Sequence, residues 1–382
     1  MTFKRDYRYF DFILAIFVLA LLIFGVVMVG SAEHIDTKAP SGLFKMHIIW
    51  VATGYFIMIF VAFVDFAFVC RFYIVFFAVN ILLLVLVLVL GTPTNGTTRW
   101  LYLSDLGIGS SEFGIQPSEF TKIFLIVYLA KLLDRFKDRV NHPLYLGIII
   151  LVAALPVTLI MMQPSLTASL VVGMVFVIML FTAKVSWKLI VAALVLLVPA
   201  VIFLLYDLNN DPQIFLHKIM GEYQQNRIRA FIDPSFDPAL AYQSEQSVEA
   251  IRSGQLMGRG LFNNIVYVPY STNDFIFAVI GAELGFAGCV AVLAAMLIVV
   301  LRCFLIAHRT ELFLGKLIAA GVGGMIAFQT IVNVSVATGS LPNTGITLPF
   351  ISSGGSSIWI TMASVGMVLS VGMTRTKSMF ED

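Results

Sequence analysis

Long uninterrupted apolar runs limit what this chain of 382 residues can fold into more than any other feature. An apolar run of about 20 residues matches the hydrocarbon thickness of a bilayer. Only 12% of the residues are charged, about half the fraction typical of soluble domains. The sequence therefore predicts an all-α integral membrane protein with about ten transmembrane helices. The predicted helices cover residues 10–31, 45–66, 72–91, 117–133, 143–162, 165–183, 187–206, 274–301, 315–338 and 350–372.

Lys and Arg residues cluster on one side of this ten-helix arrangement. They precede the first helix, follow the last, and lie in the connections after the even-numbered helices. Because cytoplasmic loops are enriched in Lys and Arg, both termini are predicted to be cytoplasmic. Residues 1–382 then form a single polytopic membrane domain, with a large extracytoplasmic loop at 207–273 between helices 7 and 8. Within that loop, the amphipathic run 240–255 predicts a short helix.

Composition and spacing argue against several classes of function. The net charge is only +2 and no basic stretch interleaves with aromatics, so a nucleic-acid partner is not expected. The three cysteines are far apart and the five histidines lack metal-ligand spacing, so neither a disulfide framework nor a recognisable metal site is predicted. No P-loop motif for a nucleotide is present.

Polar residues from distant parts of the sequence fall at the same, extracytoplasmic end of the predicted helices. Ionisable residues within a membrane are candidates for function, since placing them there is costly. The most prominent is Asp274, which begins the eighth predicted helix. The other candidates on this side are Arg99, Trp100, Glu119, Lys122, Arg229, Asp233, Ser353, Gly354 and Gly355.

Structural roles are open for several of these residues. Asp274 precedes an apolar helix, and aspartate is a good helix N-cap. Glu119 and Lys122 are three residues apart, so they can neutralise each other on one helix face. Trp100 fits the aromatic belt at a membrane surface. The glycine pair at 354–355 fits either close helix packing or an anion held by backbone N–H groups at a helix start.

A polar site that opens outward between apolar helices suits a lipid-linked substrate that is already activated. Its lipid tail would lie between helices, and Arg99 and Lys122 would hold a pyrophosphate. A carboxylate near the surface would act as general base toward a sugar hydroxyl. An ion or lipid transporter would have the same cations and carboxylate in a polar cavity. These residues alone therefore do not decide between an enzyme and a transporter.

Motifs in a fixed order over nearly the whole chain resemble the SEDS family of bacterial shape, elongation, division and sporulation proteins. They include 99-RW-100, 116-QPSEFTK-122, 224-QQNRIRAFIDP-234, 242-YQSEQSVEAIRSG-254, 274-DFIFAVIGAELGF-286 and 341-LPNTGITLPFISSGGSS-357. The resemblance implies a peptidoglycan glycosyltransferase of the bacterial cell (inner) membrane that polymerises lipid II, with undecaprenyl pyrophosphate as leaving group. It also implies a class B penicillin-binding protein as partner, among other components of a cell-wall synthesis complex.

The resemblance assigns roles to individual residues. Asp274 matches the family's catalytic carboxylate, and Trp100, Glu119 and Lys122 match its other polar positions. Arg99 and Lys122 are predicted to offset the charge of the pyrophosphate, and Arg229, Asp233 and the 353–355 segment are further substrate-binding candidates. No cofactor is required by these motifs, although a divalent cation, Mg²⁺ or Mn²⁺, would be able to share this work; its ligands are unknown. The short N-terminal tail resembles RodA more than FtsW.

The chain departs from the family pattern at several positions. Ser165 stands where the family usually has aspartate, Ala282 precedes Glu283 where two glutamates are usual, and Gln255 replaces the second of two glycines. The pair at 272–273 is Thr-Asn, where the family usually has His-Thr or a similar pair. Two alternative functions stay open, a lipid II flippase and a scaffold for the penicillin-binding protein. The crowding of polar groups on the outer side favours the enzyme, because a flippase needs a midplane site and an inward vestibule.

Overall fold

The structure, a computed structural model, describes residues 3–37, 42–91, 98–102, 114–163, 165–189, 191, 195, 199, 221–263 and 266–376. Its contacts divide the chain into two compact units. The first comprises Met1–Phe72 with Tyr242–Asp382, and the second comprises Tyr73–Ala241. Seven helical stretches in the described part of the chain are long and apolar enough to cross a membrane, so this is a multi-pass membrane protein.

Helices make up most of the described secondary structure. In chain order they are α1 (Phe12–Thr37), α2 (Gly42–Phe63), α3 (Phe66–Val69), α4 (Tyr73–Leu90), α5 (Pro117–Arg135), α6 (Pro143–Met162), α7 (Leu166–Thr182), α8 (Glu222–Ile232), α9 (Pro238–Ser253), α10 (Ile276–Arg309), α11 (Phe313–Ala337) and α12 (Gly355–Gly372). The strands are β1 (Phe3–Arg5), β2 (Leu101–Tyr102), β3 (Gly114–Ile115) and β4 (Thr374–Thr376).

Nine of the predicted membrane segments coincide with described helices, namely α1, α2, α4–α7 and α10–α12. The seventh predicted segment, 187–206, lies largely outside the described residues. Two of the nine are not among the long apolar stretches, because α7 has 17 residues and α5 carries several charged residues. The amphipathic helix predicted at 240–255 is confirmed as α9, whereas α8 was not predicted.

Three predicted boundaries are wrong by five residues or more, because hydropathy alone does not report backbone conformation. Helix α1 continues to Thr37, beyond the predicted end at residue 31. Helix α10 continues to Arg309, beyond the predicted end at residue 301. The first charge, Arg302, does not end the helix because its guanidinium is neutralised by Asp11 in a two-pronged ion pair. Helix α12 begins at Gly355 and not at residue 350, because the segment before it is a turn in which Phe350 has a φ of 68°.

In the first unit, α2 packs closely along α12, while α10 packs against α1 and α11. A Cβ at Gly366 would lie 2.5 Å from the carbonyl oxygen of Met58, so glycine permits the close approach of α12 to α2. Glycine and other small residues are common where membrane helices approach each other closely. Strands β1 and β4 pair antiparallel, with Phe3 opposite Thr376, so the two terminal segments lie at the same end of this unit.

Helix α10 is kinked at Gly285, where the backbone is left-handed with a φ of 64°. The segment that follows α9 lies against the kink and supplies hydrogen bonds that the helix interrupts. The N–H of Arg259 donates to the carbonyl of Ala282 at 3.0 Å, and the N–H of Phe286 donates to the carbonyl of Gln255 at 2.9 Å. Non-helical backbone within a membrane protein needs such partners from the protein itself, so this segment stabilises the kink.

The glutamate beside the kink is fully buried. Glu283 accepts a hydrogen bond of 2.5 Å from the hydroxyl of Ser31 on α1, and that hydroxyl accepts one of 3.1 Å from the N–H of Phe262. One carboxylate therefore connects α1, α10 and the segment after α9. At the neighbouring departure from the family pattern, Ala282 contributes its backbone carbonyl to the kink.

In the second unit, α5 packs against α4, α6 and α7. The hydroxyl of Thr121 donates to Oδ1 of Asn80 at 2.8 Å, and the amide of Gln163 donates to the carbonyl of Leu84 at 3.0 Å. Buried polar groups are stable only when they are hydrogen-bonded, so these contacts fix the helices relative to one another. Ser165 occupies the N-cap position of α7 without a capping hydrogen bond from its side chain.

Candidate active site

Asp274 is partly buried and lies in a turn immediately before α10. The N–H groups of Asn273 and Phe275 both donate to the carbonyl of Tyr270, at 3.1 and 3.4 Å, and so close the turn. Phe275 occupies the N-cap position of the helix that begins at Ile276. Phe275 and not Asp274 therefore occupies the N-cap position, which the sequence had offered to Asp274.

Asn333 of α11 connects the Asp274 turn to the segment that precedes α12. Its Nδ2 donates to the carbonyl of Asp274 at 2.8 Å and to the carbonyl of Ile346 at 2.7 Å, and the residue is 1% exposed. Asn333 was not among the predicted site residues. An amide in the apolar run 325-MIAFQTIVNVSVA-337 is nevertheless a usable signal, because a polar side chain there needs partners.

Residues 348–353, in the segment between α11 and α12, are buried, and two serines among them contact the same turn. The hydroxyl of Ser352 donates to the carbonyl of Asn273 at 2.6 Å and accepts from the N–H of Leu348 at 2.7 Å. The N–H of Ser353 donates to the carbonyl of Thr272 at 2.9 Å. Ser353 thus contacts the turn through its backbone, whereas Ser352, which was not predicted, does so through its side chain.

Three consecutive carbonyls of the Asp274 turn each accept a hydrogen bond from a distant segment. The carbonyl of residue 272 is held by Ser353, that of residue 273 by Ser352, and that of Asp274 by Asn333. Groups that act on a substrate must be held close to the productive geometry by their surroundings. The turn therefore presents a carboxylate on a fixed backbone.

The two predicted glycines are at the start of α12. Gly354 is the N-cap residue of this helix. Gly355 lies against Trp50 of α2, where a Cβ would come within 2.9 Å of the indole ring. Close helix packing therefore accounts for Gly355, while binding of an anion at this helix start stays a prediction.

In the second unit, a pair of short strands brings Arg99 and Trp100 toward the start of α5. Strand β2 directly follows Trp100 and pairs antiparallel with β3. Strand β3 ends immediately before Gln116, the N-cap residue of α5. Arg99 and Trp100 are both partly buried. The pairing places them beside the part of the chain that carries Glu119 and Lys122.

Glu119 and Lys122 form the ion pair that their spacing allows. Lys122 Nζ lies 2.6 Å from Glu119 Oε2, and the side chains are only 3% and 12% exposed, respectively. A buried ammonium group that loses its carboxylate partner destabilises a protein by about 3–5 kcal/mol. The pair therefore has a structural role in α5, and the predicted contact of Lys122 with a pyrophosphate would be made by a lysine that is already ion-paired.

Arg229 and Asp233 make local contacts at the end of α8. The Arg229 guanidinium lies 5.4 Å from the centre of the Phe236 ring. Asp233 is exposed and accepts hydrogen bonds from the hydroxyl and the N–H of Ser235, at 2.6 and 3.0 Å. These two hydrogen bonds hold the pKa of the Asp233 carboxyl below its ordinary value, and the bond from the hydroxyl has the larger effect. These contacts shape the turn between α8 and α9, and a role in substrate binding stays a prediction.

No group of three or more His, Cys, Asp or Glu side chains is placed to hold a metal ion within the described segments. Tetrahedral or octahedral sites in proteins usually need several such ligands. The divalent cation suggested by the sequence thus stays a prediction without assigned ligands.

Comparison with known proteins gives matches over almost the entire chain. The family model described as "Cell cycle protein" (FtsW, RodA and SpoVE) matches residues 12–377. The "Probable peptidoglycan glycosyltransferase FtsW" of Trichlorobacter lovleyi is 32% identical over 374 residues, which cover 95% of this chain and 93% of the relative. The "Peptidoglycan glycosyltransferase MrdB" of Escherichia coli K12 is also 32% identical over 374 residues, covering 96% and 94%.

A solved structure also matches almost the entire chain. It is described as "Structural coordination of polymerization and crosslinking by a peptidoglycan synthase complex", and one of its chains matches with a TM-score of 0.77 and 29% identity. The match covers 95% of this chain and 97% of that chain. The protein is therefore a member of the FtsW/RodA/SpoVE family, the SEDS family that its motifs resemble.

Proposed function

We propose that this chain, a peptidoglycan glycosyltransferase like its relatives, polymerises lipid II with Asp274 as general base. Asp274 takes the proton from the acceptor 4-hydroxyl of the N-acetylglucosamine of one lipid II. The resulting oxygen attacks the anomeric carbon of the donor muramyl unit with inversion. The bond from that carbon to the pyrophosphate breaks, and undecaprenyl pyrophosphate leaves with the electron pair.

The observation that carries this assignment is the backbone around Asp274. All three carbonyls of residues 272–274 are held by side chains or N–H groups from elsewhere in the unit, and the N-cap position of α10 is taken by Phe275. A general base must be positioned within hydrogen-bond reach of the proton that it removes. A fixed turn at the start of a membrane helix meets this requirement for a substrate that lies at the membrane surface.

Arg99 and Lys122 are proposed to stabilise the leaving pyrophosphate. Cations placed where charge develops in the transition state lower the barrier to group transfer. The Glu119 carboxylate, 2.6 Å from Nζ, keeps Lys122 in its buried position. A divalent cation, Mg²⁺ or Mn²⁺, would add to this neutralisation. Trp100, Arg229, Asp233 and the 353–355 segment are the remaining candidates for contacts with the substrate.

We further propose ten membrane spans with both termini in the cytoplasm of a bacterial cell and residues 207–273 outside. The distribution of Lys and Arg supports this orientation. The pairing of β1 with β4 supports an even number of spans, because it joins the two terminal segments at one end of a unit. The membrane is then the inner membrane, and the Asp274 turn faces outward.

The proposed partner is a class B penicillin-binding protein, which would cross-link the glycan strands. The support is the solved structure named above, which describes the coordination of polymerization and crosslinking in a synthase complex. A scaffold role for this chain alone would make Asp274 dispensable. A flippase role would require movement of lipid II across the bilayer without formation of strands.

The test is polymerisation of labelled lipid II by the purified protein, with and without its penicillin-binding protein. Asp274→Asn is expected to reduce strand formation by about 10²–10⁴-fold, because an amide does not accept the proton. The matched control is Asp65→Asn. Asp65 caps α3 by accepting from the N–H of Ala67 at 2.9 Å, and a cap tolerates asparagine.

Normal polymerisation by Asp274→Asn would refute the general-base assignment. A flippase is distinguished by placing lipid II in sealed vesicles with the protein and following its exposure on each leaflet. Translocation by wild-type protein that forms no strands would favour the transporter. Complementation of a strain that lacks the protein by Asp274→Ala would favour the scaffold.

A further inference from the structure

A cavity of about 220 Å³ lies in the first unit at the end where the terminal segments meet, at the opposite end of α10 from the Asp274 turn. It is lined by residues before α1, by the last turns of α10 and by the end of α12. Its charged lining consists of Arg8, Asp11, Arg302 and Arg309, and we refer to it as the basic cavity. Three arginines and one aspartate give it two net positive charges.

The one carboxylate in this lining is already fully engaged. Asp11 accepts from Nε of Arg302 at 3.0 and 3.1 Å and from its Nη2 at 2.5 Å. It also accepts from the N–H of Leu14 at 2.9 Å, which caps the start of α1. Within the described part of the chain, Asp11 is therefore committed to Arg302 and to the helix, and it does not neutralise the exposed Arg8 and Arg309.

A neutral hydrogen-bond donor completes the lining. Thr310 Oγ1 is buried and has no hydrogen-bond partner among the described residues, although it belongs to the cavity wall. Buried hydroxyl groups in native proteins nearly always have a partner. Two arginines and a hydroxyl with unused donors form a suitable set for the oxygens of a phosphate group.

The surroundings of the basic cavity are apolar and exposed. Tyr9, at the cavity wall, is 51% exposed, and Phe12, Ile13 and Ile16 continue from it along α1 with exposures of 65, 47 and 61%. Aromatic side chains of this kind are enriched where membrane proteins pass the headgroup region. A molecule whose anionic group occupied the cavity would therefore have an apolar surface next to it for hydrocarbon chains.

We propose that the basic cavity binds the phosphate of an anionic phospholipid, with its acyl chains along the exposed face of α1. Basic pockets between membrane helices on the cytoplasmic side are suited to acidic headgroups. Free inorganic phosphate shares the headgroup chemistry, but it would make no use of the apolar surface. This site is independent of the active site and does not rest on the assignment of Asp274.

The test measures lipid binding to the full-length, delipidated protein in detergent by native mass spectrometry. The probes are phosphatidylglycerol, zwitterionic phosphatidylcholine and inorganic phosphate. Wild-type protein is expected to bind phosphatidylglycerol at least about tenfold more tightly than phosphatidylcholine. An Arg near an anionic surface contributes about 1 kcal/mol, so the double variant Arg8→Gln/Arg309→Gln is expected to bind phosphatidylglycerol about thirtyfold more weakly.

The matched control is Arg71→Gln, which removes an exposed arginine outside the cavity and should change binding less than about threefold. The charge-conserving Arg8→Lys/Arg309→Lys variant should retain most of the affinity, which separates loss of charge from misfolding. Unchanged binding by the double glutamine variant would overturn the proposal. An equal loss in Arg71→Gln, or displacement of the lipid by millimolar phosphate, would overturn it as well, by indicating a diffuse surface charge or a site for soluble phosphate.

Discussion

The side-chain amide of Asn333 donates a hydrogen bond of 2.8 Å to the main-chain carbonyl of Asp274 and another of 2.7 Å to that of Ile346. Asn333→Ala removes both, and a buried polar group without its partner costs about 1–3 kcal/mol. We expect kcat for lipid II polymerisation to fall about tenfold to hundredfold while KM changes less than about threefold, because the base loses its position but the substrate contacts remain.

Steady-state polymerisation kinetics on the folded protein check this expectation. The control is Thr338→Ala, since the hydroxyl of Thr338 bonds the Val334 carbonyl within the same helix, at 2.9 Å, and does not reach the Asp274 turn. Wild-type kcat in Asn333→Ala, or a loss equal to that in the control, would contradict a positioning role.

The buried ion pair of Glu119 and Lys122 permits a separation of structural and catalytic roles. Lys122→Met alone leaves a buried carboxylate unpaired and is expected to destabilise the protein by about 3–5 kcal/mol. The double variant Glu119→Gln/Lys122→Met removes both charges and should recover most of this stability. If Lys122 contacts the pyrophosphate, the double variant stays at least about a hundredfold below wild type in polymerisation.

Thermal unfolding in detergent and polymerisation are measured on the same preparations. Recovery of stability without activity is the expected result. Recovery of both would mean that the pair serves only the packing of α5, and Lys122 would no longer be a substrate-binding candidate.

The kink of α10 depends on a glycine in the segment that lies against it. Gly258 has a φ of 81°, and a Cβ there would lie 2.1 Å from the carbonyl oxygen of Glu283. We expect Gly258→Ala to destabilise the protein by about 3 kcal/mol or more, through backbone strain and a clash with main-chain atoms. Gly260→Ala is the comparison, because Gly260 also has a positive φ, 94°, but its closest neighbour is the Asn263 side chain at 3.3 Å.

The melting temperatures of the two variants test whether the close packing of Gly258 against α10 adds to the cost of backbone strain. Gly260→Ala should lose only the strain of a left-handed backbone, about 1–2 kcal/mol. Equal melting temperatures for the two variants would show that the segment moves away from the kink without penalty.

Gln255 adopts a left-handed backbone with a φ of 50°, at the position where the family pattern usually has glycine. Glycine would relieve this strain, which stabilises the folded state by about 1–2 kcal/mol. The greater conformational entropy of glycine in the unfolded chain would offset about 0.4–1 kcal/mol of that gain. Gln255→Gly is therefore expected to stabilise the protein by about 0.5–1 kcal/mol. The measurement is thermal unfolding, with Gln255→Ala as a control that retains the strain and should bring no gain.

The membrane helices follow from the sequence alone, and the sequence alone also singles out Asp274 as a candidate catalytic residue. Apolar runs of about 20 residues have few alternatives to membrane helices, and this is a local property that a window of residues reports. The end of α10 was misjudged because Arg302 is neutralised by Asp11, which lies 291 residues away in the chain. A window of sequence does not contain such a partner.

Only the tertiary structure decided how the candidate residues are held. Asn333 and Ser352 were missed because their function is to bond main-chain carbonyls of another segment, and no motif records such a contact. The position of Asp274 relative to its helix is also a property of the folded chain. The structure shows that the N-cap residue is Phe275 and not Asp274. The sequence by itself thus determined the membrane helices and the chemical groups. The position of each group depended on hydrogen bonds between distant segments, which form only when the chain is folded.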